Sequence, residues 1–396
     1  MESYELKPAL SVVINQLLYE LRWKGEDVFA LSLGEAFFHL PLMSFEKLDW
    51  ERGFHYSESQ GTPELRAAIE RLYRSHYDTD VDGKTEVLVT AGSKIAIFMV
   101  LKVLISKGDV VSVFEPAWVS YREQIIIAGG VPRFLPFSES FEGPLRLDPQ
   151  TKVVILNNPN NPSGRNYSAG ELQRIKEACD LVGAVLLVDE AYSDFVGREK
   201  FFSGRRLGPE VVVVNSLSKN LGMSGWRLGY VIANADLISK LMKLQQNLVT
   251  CAPTLLQLYV AKYMPELLKV TKPQIDEVIE RRNATKRFLE SHKVRTMEGD
   301  STFYLFAQME DFGFFGNGTD FAVHSLLNFG VSVVPGVAYG GGTGGFVRIS
   351  VGVEPLERIQ EGILRLFSAA SSVPSRRDLQ RRQADLGITA FDWIEW

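Results

Sequence analysis

The sequence has little of the chemistry that staples, anchors or metallates a chain. It holds only two cysteines, Cys179 and Cys251. They lie in separate segments without metal-ligand spacing, so a disulfide framework is excluded and a reducing, cytoplasmic setting is expected. No run of about 18 apolar residues occurs, which leaves no candidate for a membrane-spanning helix. The amino-terminal stretch MESYELKPALSVVINQLLYELRWKGED carries charges throughout and has no signal-peptide core. Positive charge is not in excess: the formal net charge of −5 gives no general pull toward nucleic acid or an anionic membrane surface. The histidines, His39, His55, His76, His292 and His324, show no ligand spacing, so no metal site is expected. Two nucleotide signatures are missing as well. No G-x-G-x-x-G follows an early strand, and GGGTGG (340–345) lacks the G-K-[ST] ending of a P-loop and reads as a flexible turn.

What is present is a long, ordinary globular composition. At 396 residues the chain exceeds what one hydrophobic core supports, so two lobes are expected. Apolar, β-branched runs occupy residues 86–90, 110–114, 153–156, 184–188 and 211–214, and helix-patterned stretches separate them. One of these, SAGELQRIKEACDLVG, opens with a capping-box arrangement of Ser168 and Glu171. Strand–helix alternation implies parallel pairing with right-handed crossovers, hence an open α/β sheet. After about residue 255 long helical patterns flank short strands such as TFYLFAQ and GFVRISV, which reads as a smaller α+β lobe. The expected division is an amino-terminal arm with part of the small lobe (1–45), a large domain (46–255), a small domain (256–370) and a carboxyl-terminal extension (371–396). That extension reads either as a packed appendage or as a mobile terminus.

Ligands of open α/β sheets bind beyond the carboxyl ends of the strands, so the residues directly after each run carry information. The first run leads into AGSK (91–94), a small-residue turn opening a helix, with amides and a cation suited to phosphate. The second leads into EPAWVSY, with Trp118 and Tyr121; the third into NNPNNPSG, with Asn161; the fourth into DEAY, with Asp189 and Tyr192. The run of valines leads into Ser216, Ser218 and Lys219, with Arg227 further on. Singly, each has an ordinary reading: Asp189 as a helix cap, Trp118 as a half-buried core aromatic, Asn161 as a turn residue, Arg227 as a surface ion pair. In succession they form an anion cradle, an aromatic plate, an amide, a carboxylate, a phenol and a lysine. That set matches what pyridoxal phosphate chemistry needs: a Schiff-base lysine, a carboxylate for the pyridine nitrogen, and donors for a phosphate.

In these motifs the chain resembles the class I/II aminotransferases, the fold type I pyridoxal-phosphate-dependent enzymes. The resemblance runs to about residue 370, through YSESQGTPELRAAI, VTAGSKIAI, EPAWVSY, NNPNNPSG, VDEAYSDF, SLSKNLGMSGWRLGY, FYLF, GVSVVPGVAYG and VRISV. It implies a large domain with a mostly parallel seven-stranded sheet flanked by helices, plus a smaller α+β domain. It implies pyridoxal 5'-phosphate as cofactor, with Lys219 as the Schiff-base lysine, Asp189 as the pyridine-nitrogen partner, and Asn161 and Tyr192 on the ring hydroxyl. Lys219, Asp189 and Tyr192 form the catalytic set. Trp118 stacks on the ring, and Gly92, Ser93, the Lys94 amide, Ser216, Ser218 and Arg227 hold the phosphate. Tyr56 reaches the other subunit's phosphate, which makes a homodimer with shared sites the expected assembly. Arg348 pairs with the substrate α-carboxylate and Gly34 approaches it through its backbone, with Trp118 and Asn161 also facing substrate.

The expected reaction is amino-group transfer between an α-amino acid and a 2-oxo acid. Two departures bear on it. The substrate loop, usually glycine–glutamate–proline–aspartate–phenylalanine, reads GEAFFHLP, and GDSTFYLF has Ser301 and Thr302 where glycine and alanine are common. Both are expected where the family contacts substrate. An apolar wall from Phe37 and Phe38 would suit a lyase or cyclase acting on a functionalised amino acid; alternatively the two rings pack the arm against the small lobe. A non-catalytic pyridoxal-phosphate-binding regulatory module is the remaining alternative, although no fused DNA-binding domain is visible.

Overall fold

Runs of valine, isoleucine and leucine bury both faces of a strand only inside a layered α/β fold, and the computed structural model has that architecture. The structure describes residues 6, 8–41, 43–136, 145–197, 200–372 and 375–388. Its strands, in chain order, are β1 (Phe29–Ala30), β2 (Val87–Thr90), β3 (Val110–Phe114), β4 (Val131–Leu135), β5 (Thr151–Asn157) and β6 (Val185–Asp189). There follow β7 (Val212–Ser216), β8 (Gly229–Ile232), β9 (Tyr304–Gln308), β10 (Val331–Ser332), β11 (Val334–Pro335) and β12 (Phe346–Ser350).

The central sheet has seven strands in the order β2-β8-β7-β6-β5-β3-β4. All pair in parallel except β8, which runs antiparallel to both β2 and β7. The residue pattern of β8 gives no warning of this reversal. Its cause is the connection: residues 217–228 hold only two short helical turns, so the chain folds back instead of crossing over. At the other end β4 carries Pro132, which an edge strand tolerates because it needs no second ladder. The helix Ala169–Val182 starts on the expected Ser168–Glu171 capping box.

The remaining strands form a second layer. In it β11, β12 and β9 make an antiparallel sheet, while β1 pairs in parallel with β10, joining the amino-terminal segment to the far end of the chain. The core of this layer takes Leu17 and Leu18 from the helix Leu10–Trp23 together with Phe303, Leu305, Ile349 and Ile363. It also takes Ala191, Tyr192 and Phe195 from the segment after β6, so the central sheet's strand ends and the second layer meet at Tyr192. The helix Thr254–Ser291 gives Tyr259, Val260 and Leu267 to the core beneath the central sheet and Ile275, Val278 and Leu289 to the second core. The division expected near residue 255 therefore runs along a continuous helix.

In the carboxyl-terminal extension, Arg376–Asp385 is helical, buries Leu379 in the second core, and pairs Arg376 with Asp320 at 3.0 Å. The acidic, aromatic end of the sequence, 389–396, lies outside the described residues. Among the described residues no helix is long and apolar enough to cross a membrane.

Candidate active site

A cavity of about 290 Å³ opens beyond the carboxyl ends of the central strands, between them and the second layer. Every expected site residue except Gly92 and Tyr56 lines it.

One corner is built for an anion. The helix Ser93–Leu104 begins directly after β2, so the amide donors of its first turn point into the cavity's edge. Gly92 sits before it at a φ of 91°, and a Cβ there would lie 2.5 Å from Arg227 Nη2. The glycine thus lets the guanidinium close over the helix start without lining the cavity itself. Gly229 does the same from the other side, since its Cβ would lie 2.5 Å from the Ser93 nitrogen. Ser216 accepts from the Ser218 amide at 3.1 Å, and Arg227 donates to the Ser224 carbonyl at 2.8 Å. Arg227 is held at a φ of 54°, a left-handed conformation that a non-glycine residue adopts only where the surroundings demand it. Amides, two hydroxyls and a guanidinium around a space kept open by glycine are the donors a phosphate monoester needs.

The floor carries the carboxylate. Asp189 ends β6 beside Asn157 of β5, is 5% exposed, and accepts from the Tyr121 hydroxyl at 2.7 Å and the Ala191 amide at 3.1 Å. Burial pushes its carboxyl up to about 6, with the Tyr121 hydrogen bond opposing that rise. Trp118 forms a wall, edge-on to Tyr121 with ring centroids 5.2 Å apart. Lys94 Nζ lies 5.2 Å from the Trp118 centroid and has no hydrogen-bond or ion-pair partner among the described residues. Burial, then the charge of Arg227, lower the Lys94 pKa.

The opposite wall comes from the second layer. Arg348 of β12 donates through Nη2 to the Ser32 carbonyl at 2.6 Å and through Nη1 to Asn161 Oδ1 at 3.2 Å. Its Nε is buried without a partner among the described residues. Asn161 Nδ2 in turn donates to the Tyr192 hydroxyl at 3.2 Å. Between the two walls Lys219, on the turn after β7, donates from Nζ to the Gly34 carbonyl at 2.5 Å. Burial, with Arg227 and Arg348 nearby, pushes its amine down to about 8, while Glu35 works the other way. An amine so poised is close to the neutral form that a nucleophile and proton carrier requires.

Tyr56 is elsewhere. It is 84% exposed, in a separate cleft with Arg52, His55 and Thr254, and reaches nothing in this cavity. The two departures in sequence are also displaced from the site. Phe37 points outward and is 57% exposed, while Phe38 stacks on Phe195 at 6.2 Å, so neither makes the cavity wall apolar. The second of the two expected arrangements, packing of the arm, accounts for Phe38. Ser301 and Thr302 are fully buried behind the cavity, where Ser301 accepts from the Gly197 amide and the Thr302 amide donates to the Phe195 carbonyl.

Sequence reasoning leaves out Tyr121 as a site residue, although its place in EPAWVSY, three residues after Trp118 and at the start of the helix Ser120–Ala128, is a usable signal. It also leaves out Tyr304, whose only signal is the FYLF motif, and Ser11, Asn15, Tyr19 and Glu35, which line the mouth.

The family described as Aminotransferase class I and II matches residues 46–365. The probable aspartate/prephenate aminotransferase of Aquifex aeolicus is 34% identical, covering 93% of this chain and 97% of its own length. Aromatic-amino-acid aminotransferase 2 of Thermococcus litoralis is 29% identical over 88% of this chain and 93% of its own. The solved aspartate aminotransferase of Thermus thermophilus with maleate superposes with a TM-score of 0.83 at 27% identity, over 93% of this chain and all of that one. The family match spans the ends of β2, β5, β6 and β7, Arg348 of β12 and the helix joining the two cores, and the chain belongs to the class I and II aminotransferases, pyridoxal-phosphate-dependent enzymes that move an amino group between an α-amino acid and a 2-oxo acid.

Proposed function

We propose that the protein transfers the amino group of a dicarboxylic α-amino acid, and that two copies complete each other's sites. The observation that carries the substrate class is Lys94 Nζ, an unpartnered ammonium among the described residues, inside a cavity that already offers Arg348 for a first carboxylate. An ammonium that faces the cavity with no counter-ion among the described residues is stabilised by an incoming anion, and relatives named as aspartate aminotransferases agree with that chemistry.

The residues fit the cofactor. Ser93 and Lys94 amides, the Ser216 and Ser218 hydroxyls and Arg227 would hold the phosphate, with Gly92 leaving room for it. Trp118 would lie against the ring, Asp189 would face the pyridine nitrogen, and Asn161 and Tyr192 the ring oxygen. When bound, pyridoxal phosphate supplies an electron-withdrawing ring that acidifies the α-hydrogen of the amino acid joined to it. Asp189 would keep a proton at the ring nitrogen, because its buried carboxylate favours a positive charge facing it. Lys219 would hold the cofactor through Nζ, and the same amine would carry the proton of the substrate's α-carbon. Arg348 orients the α-carboxylate, with the Gly34 backbone beside it.

Tyr56 supports the dimer. Together with Phe54, 76% exposed, and Trp50, 39% exposed, it presents an aromatic face to the outside. Such a face suits burial against a second copy, where the Tyr56 hydroxyl would reach the partner's phosphate.

Aspartate mixed with holoenzyme and no acceptor should yield one equivalent of oxo acid per site and then stop, resuming when a 2-oxo acid is added. Continuous turnover without an acceptor refutes the transfer reaction and favours a lyase or cyclase.

A further inference from the structure

Tyr304 is held at every polar atom, yet none of the roles assigned around the cavity uses it. It is fully buried on β9. Its amide donates to Thr302 Oγ1 at 3.2 Å, its carbonyl accepts from Arg282 Nε at 2.9 Å, and its hydroxyl lies 3.0 Å from that of Tyr192. The Arg348 guanidinium lies over its ring at 4.2 Å. Two of these supports are unfavourable taken alone. Thr302 is β-branched yet sits at a φ of 63°, in the left-handed region. Arg282 is fully buried, donates to the Tyr304 and Gly299 carbonyls rather than to a carboxylate, has the charge of Asp300 in its favour, and leaves Nη1 without a partner among the described residues. Backbone strain and a buried cation held by carbonyls persist beside a site only where the surrounding fold imposes them.

The direction of the hydrogen bond between the two phenols comes from donor counting. Arg348 can only donate, so the Asn161 atom it meets is the carbonyl oxygen, and Asn161 must present its NH₂ to Tyr192. One lone pair of the Tyr192 hydroxyl is thereby used. The buried Tyr304 proton has no acceptor among the described residues except the Tyr192 oxygen, and a buried donor left unpaired is costly. Tyr304 therefore donates to Tyr192, which fills the second lone pair. The Tyr192 proton is left with one direction, into the cavity.

We propose that Tyr304 is a positioning residue: by donating to Tyr192 it turns the Tyr192 hydroxyl into an obligate donor aimed at the oxygen on the cofactor ring. The inference rests on the reading that pyridoxal phosphate occupies this cavity. A phenol that accepts two hydrogen bonds is also a stronger donor in its third. The charged groups around the pair are Arg348 of β12, Asp189 at the end of β6, Lys219 after β7 and Glu35 of the amino-terminal segment, and none of them hydrogen-bonds either hydroxyl.

The test is the pH titration of the visible spectrum of the lysine-bound cofactor. A donor to the ring oxygen favours the ionised ring oxygen and holds the midpoint low, so removing the donor raises it. Tyr304→Phe should raise the midpoint by roughly half a pH unit, and Tyr192→Phe should raise it further. The double variant should match Tyr192→Phe alone, because Tyr304 acts only through Tyr192. An unchanged midpoint in Tyr304→Phe, or a double variant shifted beyond Tyr192→Phe, overturns the proposal, even if the melting temperature falls. Should Tyr304→Phe fail to fold, Thr302→Gly, which frees the Tyr304 amide, must move the midpoint the same way, and no movement there overturns it equally. Failure of the underlying reading looks different: the wild-type protein would show no titrating visible band.

Discussion

The Tyr121 hydroxyl donates to Asp189 Oδ2 at 2.7 Å from a helix on one side of the sheet, and no cation among the described residues pairs with that carboxylate. A buried acid solvated by one phenol and one amide is prepared for a positive charge that arrives with a ligand.

That arrangement predicts an inverted pH dependence for the cofactor-free protein. The Asp189 carboxyl is raised from 3.8 to about 6 on folding, so between those values the native state binds more protons than the unfolded one. Its contribution to stability is therefore present at low pH and lost as pH rises through about 6, a swing of about 3 kcal/mol at most. Asp189→Asn should melt higher than the wild-type apoprotein at pH 8, with the gap closing toward pH 4, while turnover of the holoenzyme falls roughly a hundredfold or more. An apo variant that melts lower at pH 8 would falsify the account.

Lys219→Ala should bind pyridoxal phosphate without covalent linkage. Borohydride treatment should leave the cofactor's mass on the wild-type chain at Lys219 and none on the variant. Label retained in the variant would point to another lysine, with Lys94 the nearest alternative in the cavity.

The two cations assigned to the substrate carboxylates should separate in kinetics. Arg348→Ala should raise KM for every amino acid by about a hundredfold, since all share the α-carboxylate. Lys94→Met should raise KM about tenfold for aspartate or glutamate and leave that of neutral amino acids unchanged. Equal effects on acidic and neutral substrates would remove Lys94 from the side-chain subsite.

Shared sites predict complementation. Lys219→Ala and Tyr56→Ala proteins, each impaired alone, should regain activity when mixed, unfolded and refolded together, because one site of the hybrid dimer is wild type. Light scattering should give twice the chain mass. Activity that stays at the sum of the two variants places Tyr56 outside the neighbouring site.

The strand ends are readable in the sequence because buried, β-branched runs are unmistakable and the polar residues directly after them have nowhere else to go. Asp189, Ser216 and Lys219 are legible in this way. Strand β8 escapes because its four residues begin with a glycine and are aligned by the reversal after Lys219, which is a tertiary event. Tyr121 and Tyr304 sit in recognisable motifs but cannot be read there as partners of Asp189 and Tyr192, since hydrogen bonds across layers leave no spacing in a sequence. GEAFFHLP misleads for the opposite reason: the departure is real, but the backbone turns Phe37 outward and Phe38 onto Phe195.

The helix Thr254–Ser291 has a thermodynamic consequence. It lends buried side chains to both cores along one helix, in which Pro265 and Pro273 each leave the carbonyl four residues earlier without its helical donor. If the carboxyl-terminal core melted first, Ile275, Val278 and Leu289 would stand in water on a helix still anchored at Tyr259 and Leu267. Fraying of that half removes packing beneath the central sheet in turn, so the two layers form one cooperative unit, and calorimetry should record a single endotherm whose calorimetric and van't Hoff enthalpies agree per cooperative unit.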